Sequence, residues 1–208
     1  MHYKKYFRKT SLKQKNVGNF FLNLIKEAEP KNFLEIGVFH GVTARNVCEL
    51  LNEINDGSFK YTGIDVFDLG SISDKEIAPL TKFSNPFKNF FFNYIKRQDP
   101  YSLESVKLLL KKFNKNVNLI KGNSNHVLKT IDMSKIDFIF LDGGHDYHTV
   151  INDLNFCLKS IKKGGIVLCD DYNLSFAPGV KKAIDEFSRS NNLCCELLFN
   201  QRFAKIKK

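Results

Sequence analysis

The sequence predicts an α/β protein built on a Rossmann-like, doubly wound, mostly parallel sheet of seven strands, closed by a C-terminal antiparallel hairpin strand. Short apolar runs of strand length alternate with stretches of helical periodicity from residue 17 to residue 190. The run Ile136–Leu141 is almost wholly apolar, as a strand covered by helices on both faces must be. Two last extended runs, Leu193–Phe199 and Arg202–Ile206, meet across a tight turn at Asn200-Gln201. With 208 residues, 43% of them hydrophobic, the chain can bury one sizeable core. It carries no internal repeat or low-complexity segment, so residues 1–208 are expected to form a single domain.

Residues 1–15 are polar and basic and are expected to be an arm, which with the following helix forms an N-terminal unit over residues 1–30. That helix is signalled by the stripe Val17, Phe20, Phe21, Leu24, Ile25 and Ala28, and Pro30 stops it. The first strand, Asn32–Ile36, breaks into the turn Gly37-Val38-Phe39-His40-Gly41. A second helix carries Val42, Val47, Cys48, Leu50, Leu51 and Ile54 and fails at Asn55-Asp56-Gly57-Ser58. The second strand runs Tyr61–Val66.

Residues 67–100 are too long for a connection between repeating units, and they contain Pro79, Pro86 and Pro100. This insertion also holds Phe83, Phe87, Phe90, Phe91, Phe92 and Tyr94. It is expected to act as a lid or substrate wall; the plainer alternative is that its rings only pack it onto the body. A helix over Leu103–Phe113 then leads to the third strand, Val117–Ile120, and the turn Lys121-Gly122-Asn123-Ser124. The fourth strand ends in Asp142-Gly143-Gly144-His145. A helix with Val150, Ile151, Leu154, Cys157, Leu158 and Ile161 on one face stops at Lys163-Gly164-Gly165. The fifth strand, Ile166–Cys169, ends in Asp170-Asp171, and a helix marked by Val180, Ala183, Ile184 and Phe187 precedes the hairpin.

In open α/β sheets ligands bind beyond the carboxyl ends of the strands. Here those ends are Glu35, Asp65, Asn123-Ser124, Asp142 and Asp170-Asp171, all polar and mostly acidic in a basic protein. So many carboxylates on one rim repel each other unless a cation or a hydroxyl-rich ligand lies between them. Glu35, at the first strand's end, repels phosphate and favours a cationic or hydroxylated ligand. Asp65 is placed to accept hydrogen bonds from ribose hydroxyls. Phe39 stands where the middle glycine of a pyrophosphate-binding fingerprint would be, so adenosine without pyrophosphate fits better. Asp142, Asp170 and Asp171 offer only hard oxygens, which suits Mg²⁺ or a similar divalent ion. His145, three residues after Asp142, can take a proton from a hydroxyl beside that ion.

With these residues, the chain resembles the class I S-adenosylmethionine-dependent methyltransferases. Glu35-Ile36-Gly37-Val38-Phe39-His40-Gly41 resembles their first motif, in the form found in the catechol and caffeoyl-CoA O-methyltransferase group. Tyr61-Thr62-Gly63-Ile64-Asp65 resembles their second strand with its ribose acid. Asp137-Phe138-Ile139-Phe140-Leu141-Asp142-Gly143-Gly144-His145-Asp146-Tyr147, followed by Gly164-Gly165-Ile166-Val167-Leu168-Cys169-Asp170-Asp171, is similar to a small metal-dependent branch that includes macrolide-sugar O-methyltransferases.

The resemblance implies one methyltransferase domain that binds S-adenosylmethionine. Gly37 and Gly41 would lie against the cofactor's amino-acid part, Asp65 at the ribose, and Asn123 and Ser124 beside the adenine. Asp142, Asp170 and Asp171 would hold the metal. The catechol group carries a lysine where this chain has His145, and Asp-Asn where it has Asp170-Asp171. Both departures favour O-methylation of a sugar-like or polyol hydroxyl on a small acceptor. No Asn-Pro-Pro-Tyr run follows the fourth strand, which disfavours amino-methylation of a nucleobase.

Two other readings stay open: an NAD(P)-dependent oxidoreductase on the same sheet, and an RNA-modifying methyltransferase. The second is raised by the formal charge of +10, although the lysines are scattered and no RNA-recognition signature accompanies them. The five cysteines contain no C-x-x-C pair and read as reduced thiols. No apolar run reaches the length of a membrane span, and no apolar region follows the basic N-terminus, so a cytoplasmic protein without a membrane partner is expected. A homo-oligomer is compatible with all of this.

Overall fold

The computed structural model describes residues 2–68 and 83–208. The part of the insertion at 69–82, Pro79 included, lies outside the described residues. The elements in order are α1 (Lys15–Ala28), β1 (Asn32–Ile36), α2 (Val42–Ile54), β2 (Lys60–Asp65), α3 (Pro86–Phe90), α4 (Leu103–Leu110), β3 (Val117–Lys121) and α5 (Ser124–Val127). They continue with β4 (Phe138–Leu141), α6 (Tyr147–Ser160), β5 (Ile166–Cys169), α7 (Pro178–Ser190), β6 (Cys195–Leu198) and β7 (Phe203–Lys207).

The sheet has seven strands in the order β3-β2-β1-β4-β5-β7-β6. Every pair is parallel except those of β7, which runs antiparallel to both β5 and β6. From β1 the chain steps outward through β2 to β3, then returns to the other side of β1 for β4 and β5. The strand order therefore reverses between β1 and β4, and the loops leaving these strands diverge and open a crevice.

Alternation along each strand divides the core in two. Leu34, Ile36, Ile139, Leu141, Val167 and Ile206 face α6 and α7, where Leu154, Cys157, Ile184 and Phe187 are buried. Phe33, Tyr61, Phe138, Phe140, Leu168 and Phe203 face α1, α2 and α4, meeting Phe21, Ile25, Val47, Leu51 and Val106. Phe21 packs on Phe140 with ring centroids 4.5 Å apart. Each such ring or branched chain stabilises the fold by about 1.5–3 kcal/mol when buried.

Over residues 83–100 the insertion is more regular than Pro86 and Pro100 imply. Pro86 occupies the first helical position and the Asn85 side chain accepts from the Phe87 N–H, so the pair starts α3. The helix continues as a wider turn over Phe91–Lys96. A proline that reads as a breaker in sequence is a helix start here, because its missing N–H would have had no partner anyway. At the fourth strand, Ile136 is buried but precedes the ladder, its N–H bonding back to the Met133 carbonyl.

Candidate active site

The crevice at the carboxyl ends of the strands is a cavity of about 930 Å³, near the top of the roughly 300–1,000 Å³ range of small-molecule sites. One wall is the turn between β1 and α2. Gly37 sits at φ +93°, and a Cβ there would lie 2.0 Å from the Asp142 carbonyl oxygen, so the loops after β1 and β4 touch backbone to backbone. Gly41, at φ +73°, starts α2 against Val106. Phe39 is also left-handed, at φ 50°, which points its N–H at the Asp65 Oδ2, 2.7 Å away.

Asp65 closes β2 and ties this region together. Its Oδ1 accepts from the Phe67 N–H at 3.0 Å and from the Tyr101 hydroxyl at 2.8 Å. Asn123 and Ser124 line the neighbouring wall, where Asn123 caps α5 by accepting from the Asn125 N–H. Ser124 bonds the buried Asp153 carboxyl, which burial pushes up to about 7.

Glu35 is a correction. Its side chain is fully buried in the α1/α2 face rather than presented to the cavity, whose lining starts one residue later at Ile36. Period-two alternation is the reason: Glu35 points the same way as Phe33 and accepts from the Tyr61 hydroxyl at 2.6 Å. Burial pushes its carboxyl up to about 8, with the negative Asp65 adding to the rise and the Tyr61 bond opposing it. His40 likewise turns into the core, stacked on Phe39, and its Nδ1 accepts from the Lys9 N–H.

On the loops that leave β4 and β5, Asp142, Asp170 and Asp171 each bring a carboxylate oxygen within 4.8 Å of the others. Asp142 accepts from the Ser11 hydroxyl at 2.8 Å. Burial, and then the charges of Asp170 and Asp171, raise its carboxyl well above the usual range. Asp170 is gripped by Arg202 through two bonds of 2.7 Å, yet burial still lifts it to about 6. The same guanidinium lies 3.6 Å from Asp171. His145 places Nε2 3.3 Å from the Asp171 Oδ2 and lines the main cavity. Burial and mutual repulsion penalise the charged form of this all-oxygen set, one guanidinium offsets it only in part, and a hard divalent cation fits the donors.

The family described as Methyltransferase domain matches residues 34–172, more than half of the chain. The chain belongs to this family. An uncharacterized protein of Acanthamoeba polyphaga mimivirus is 29% identical over 150 residues, covering 66% of this chain and 62% of the viral one. The match therefore spans less than two thirds of that relative's length. Among solved structures, the calicheamicin methyltransferase CalS11 aligns with a TM-score of 0.68 at 14% identity, covering 94% of this chain and 80% of its own. The SAH-bound methyltransferase PaMTH1 of Podospora anserina aligns at 0.60 and 18%, covering 93% and 78%. At these identities the likeness is one of fold.

The matched part of this methyltransferase domain contains the Gly37–Gly41 turn, Asp65, Asn123, Ser124, Asp142, His145, Asp170 and Asp171. The fold brings Gly37, Val38, Phe39, Asp65, Asn123, Ser124, Asp142, His145 and Asp171 to the lining of the main cavity. Gly41 packs against Val106 outside that lining, and Asp170 lies in a small adjoining pocket that Asp171 also lines. The structure adds three residues that sequence reasoning missed, two of them outside the matched part. Arg202, in the β6–β7 turn, sits on two of the aspartates. Ser11 and its arm reach Asp142 from 131 residues away. Tyr101, past the insertion, holds Asp65. None has a local signal, because each is defined by a partner remote in sequence.

Proposed function

We propose that this methyltransferase domain transfers a methyl group from S-adenosylmethionine to a hydroxyl of a small sugar-like or polyol acceptor, assisted by a divalent cation such as Mg²⁺. The observation that carries the reading is the division of one cavity. Its Gly37–Phe39, Asp65 and Asn123–Ser124 walls suit an adenosine with an amino-acid tail, and the Asp142/Asp170/Asp171 cluster suits a cation. The SAH-bound state of the Podospora anserina relative accords with that cofactor.

S-adenosylmethionine supplies an electrophilic methyl on sulfur, and a divalent cation at the aspartates makes a neighbouring hydroxyl more acidic. The residues of this chain do the rest. Asp65 keeps lone pairs for ribose hydroxyls while its other bonds hold the Phe39 and Tyr101 walls in place. Gly37 lets the backbone stand close to the ligand and to the Asp142 loop together. Asp142, Asp170 and Asp171 would hold the cation. His145, at the edge of the carboxylate cluster, takes the proton of the acceptor hydroxyl. Alignment of donor and acceptor in a walled cavity lowers the barrier further.

Calorimetry tests the division. Asp142→Ala should lose Mg²⁺ binding while its affinity for S-adenosylhomocysteine stays within about threefold of wild type, a change below roughly 1 kcal/mol. Unchanged Mg²⁺ binding in that variant would remove the metal assignment.

A further inference from the structure

The cavity has a second charged face, opposite in sign to its aspartates. Residues 2–14 cross the strand ends as a strap. Arg8 anchors it, its guanidinium donating to the carbonyls of His40, Pro100 and Ser105 and to the Ser105 hydroxyl at 2.9–3.1 Å. Ser11 anchors it again at Asp142. These anchors bring Lys5, Lys9 and Lys13 into the cavity lining, with Lys9 and Lys13 two residues on either side of the Asp142 contact. Lys88 of α3 joins them, its Nζ held 4.5 Å over the strap's Phe7 ring and 5.5 Å over Phe83.

Four lysines thus line the cavity that Asp142 and His145 also line, Lys9 and Lys13 on the segment that Ser11 ties to Asp142. Among the described residues, Lys5, Lys13 and Lys88 form no ion pair, whereas other lysines of the chain pair with Glu49, Glu104, Asp132, Asp137 or Glu196. The three aspartates of the cavity do not account for Lys5, Lys13 and Lys88. Arg202 together with a divalent cation already balances Asp142, Asp170 and Asp171 in charge. Arg8 is committed to backbone carbonyls and is not available either. Lys9 is further crowded by Lys13, and burial with that like charge lowers its ammonium from the ordinary value. Such crowding is relieved by a bound anion.

We propose that the acceptor is anionic: Lys5, Lys9, Lys13 and Lys88 hold a phosphate or carboxylate on the same small hydroxylated molecule whose hydroxyl faces Asp142 and His145. This rests on the methyltransferase reading for the word acceptor, but the anion site stands on the lysines. Phosphate and carboxylate share the recognising chemistry, charge-assisted hydrogen bonds from ammonium groups. The strap would then be a specificity element as well as a structural one, since it supplies three of the four cations.

The test is calorimetry at low salt on the full chain saturated with S-adenosylhomocysteine and Mg²⁺, with glucose 6-phosphate, glucuronate and glucose as probes. At least one anionic probe should bind about tenfold or more tightly than glucose, as one or two charge-assisted bonds would produce. The double variant Lys9→Gln/Lys13→Gln should abolish that preference, Lys88→Gln should reduce it, and added salt should weaken it in wild type. The better anionic probe says whether phosphate or carboxylate is meant. Equal or undetectable binding of all three overturns the proposal. So does a preference that survives in the lysine variants, since the cation would then be its source. Lysine variants that lose S-adenosylhomocysteine and keep the preference also overturn it, assigning the lysines to the cofactor's carboxylate. If wild type does not bind S-adenosylhomocysteine, the methyltransferase reading fails, and the anion preference is scored on the chain without it.

Discussion

At the scale of single residues, two titratable side chains of the strand ends do different work. His145 lines the cavity beside Asp171, so its imidazole is where a hydroxyl proton can go. His145→Ala should lower methyl transfer by about a hundredfold or more while cofactor affinity is unchanged; an undiminished rate would sink the base assignment. Glu35 points into the core instead. Its folded-state value of about 8 lies above the ordinary 4.5, so the folded chain holds a proton that the unfolded chain releases first. Stability from this group is full below pH 4.5 and is lost as pH rises towards 8. Glu35→Gln keeps an acceptor for the Tyr61 hydroxyl without the charge. Melting temperatures should show the variant gaining on wild type from about pH 5 to pH 8, through linkage alone. A constant offset across that range would contradict the burial argument. The acid itself was legible in the sequence as a strand-end carboxylate, but its direction was not, because one residue's shift along a strand exchanges the two faces.

Among the elements, the β6–β7 hairpin has a task beyond ending the sheet. Its turn delivers Arg202 to Asp170, whose side chain is fully buried. Arg202→Ala leaves that carboxylate without its partner, and breaking a buried pair from one side costs about 3–5 kcal/mol. Mg²⁺ should restore part of this loss, so the variant's melting temperature should rise with Mg²⁺ more steeply than that of wild type. Equal metal dependence would mean that cation and guanidinium do not share the carboxylates. The hairpin was legible from its two apolar runs and the turn between them. The role of Arg202 was not, since its partner lies 32 residues away and is met only across the β5–β7 pairing. The insertion shows the reverse case: its aromatic residues were visible, but the helix starting at Asn85-Pro86 was hidden behind a proline that ordinarily breaks helices.

For the whole molecule, the cavity is closed by the strap as well as by the sheet. Arg8 links the strap to the β1–α2 turn, to the Pro100 carbonyl and to α4 through four hydrogen bonds. Arg8→Ala should free residues 2–14 without unfolding the sheet, read as faster tryptic cleavage within the strap at an otherwise similar melting temperature. Cleavage no faster than wild type would show that Ser11 on Asp142 and the Tyr3 hydroxyl, 2.8 Å from that of Thr43 in α2, retain it without Arg8. The alternation of short apolar runs with amphipathic helices determined the α/β class, the strand sequence and the set of polar strand ends. These depend on local periodicity and on which side chains can tolerate burial, both properties of neighbours in the chain. Only the tertiary structure decided that Glu35 faces the core, that Arg202 neutralises Asp170, and that a basic strap from the first residues lies over the aspartates. Those facts depend on packing and on charges that meet across long loops, and a charge in sequence carries no record of the partner that will compensate it.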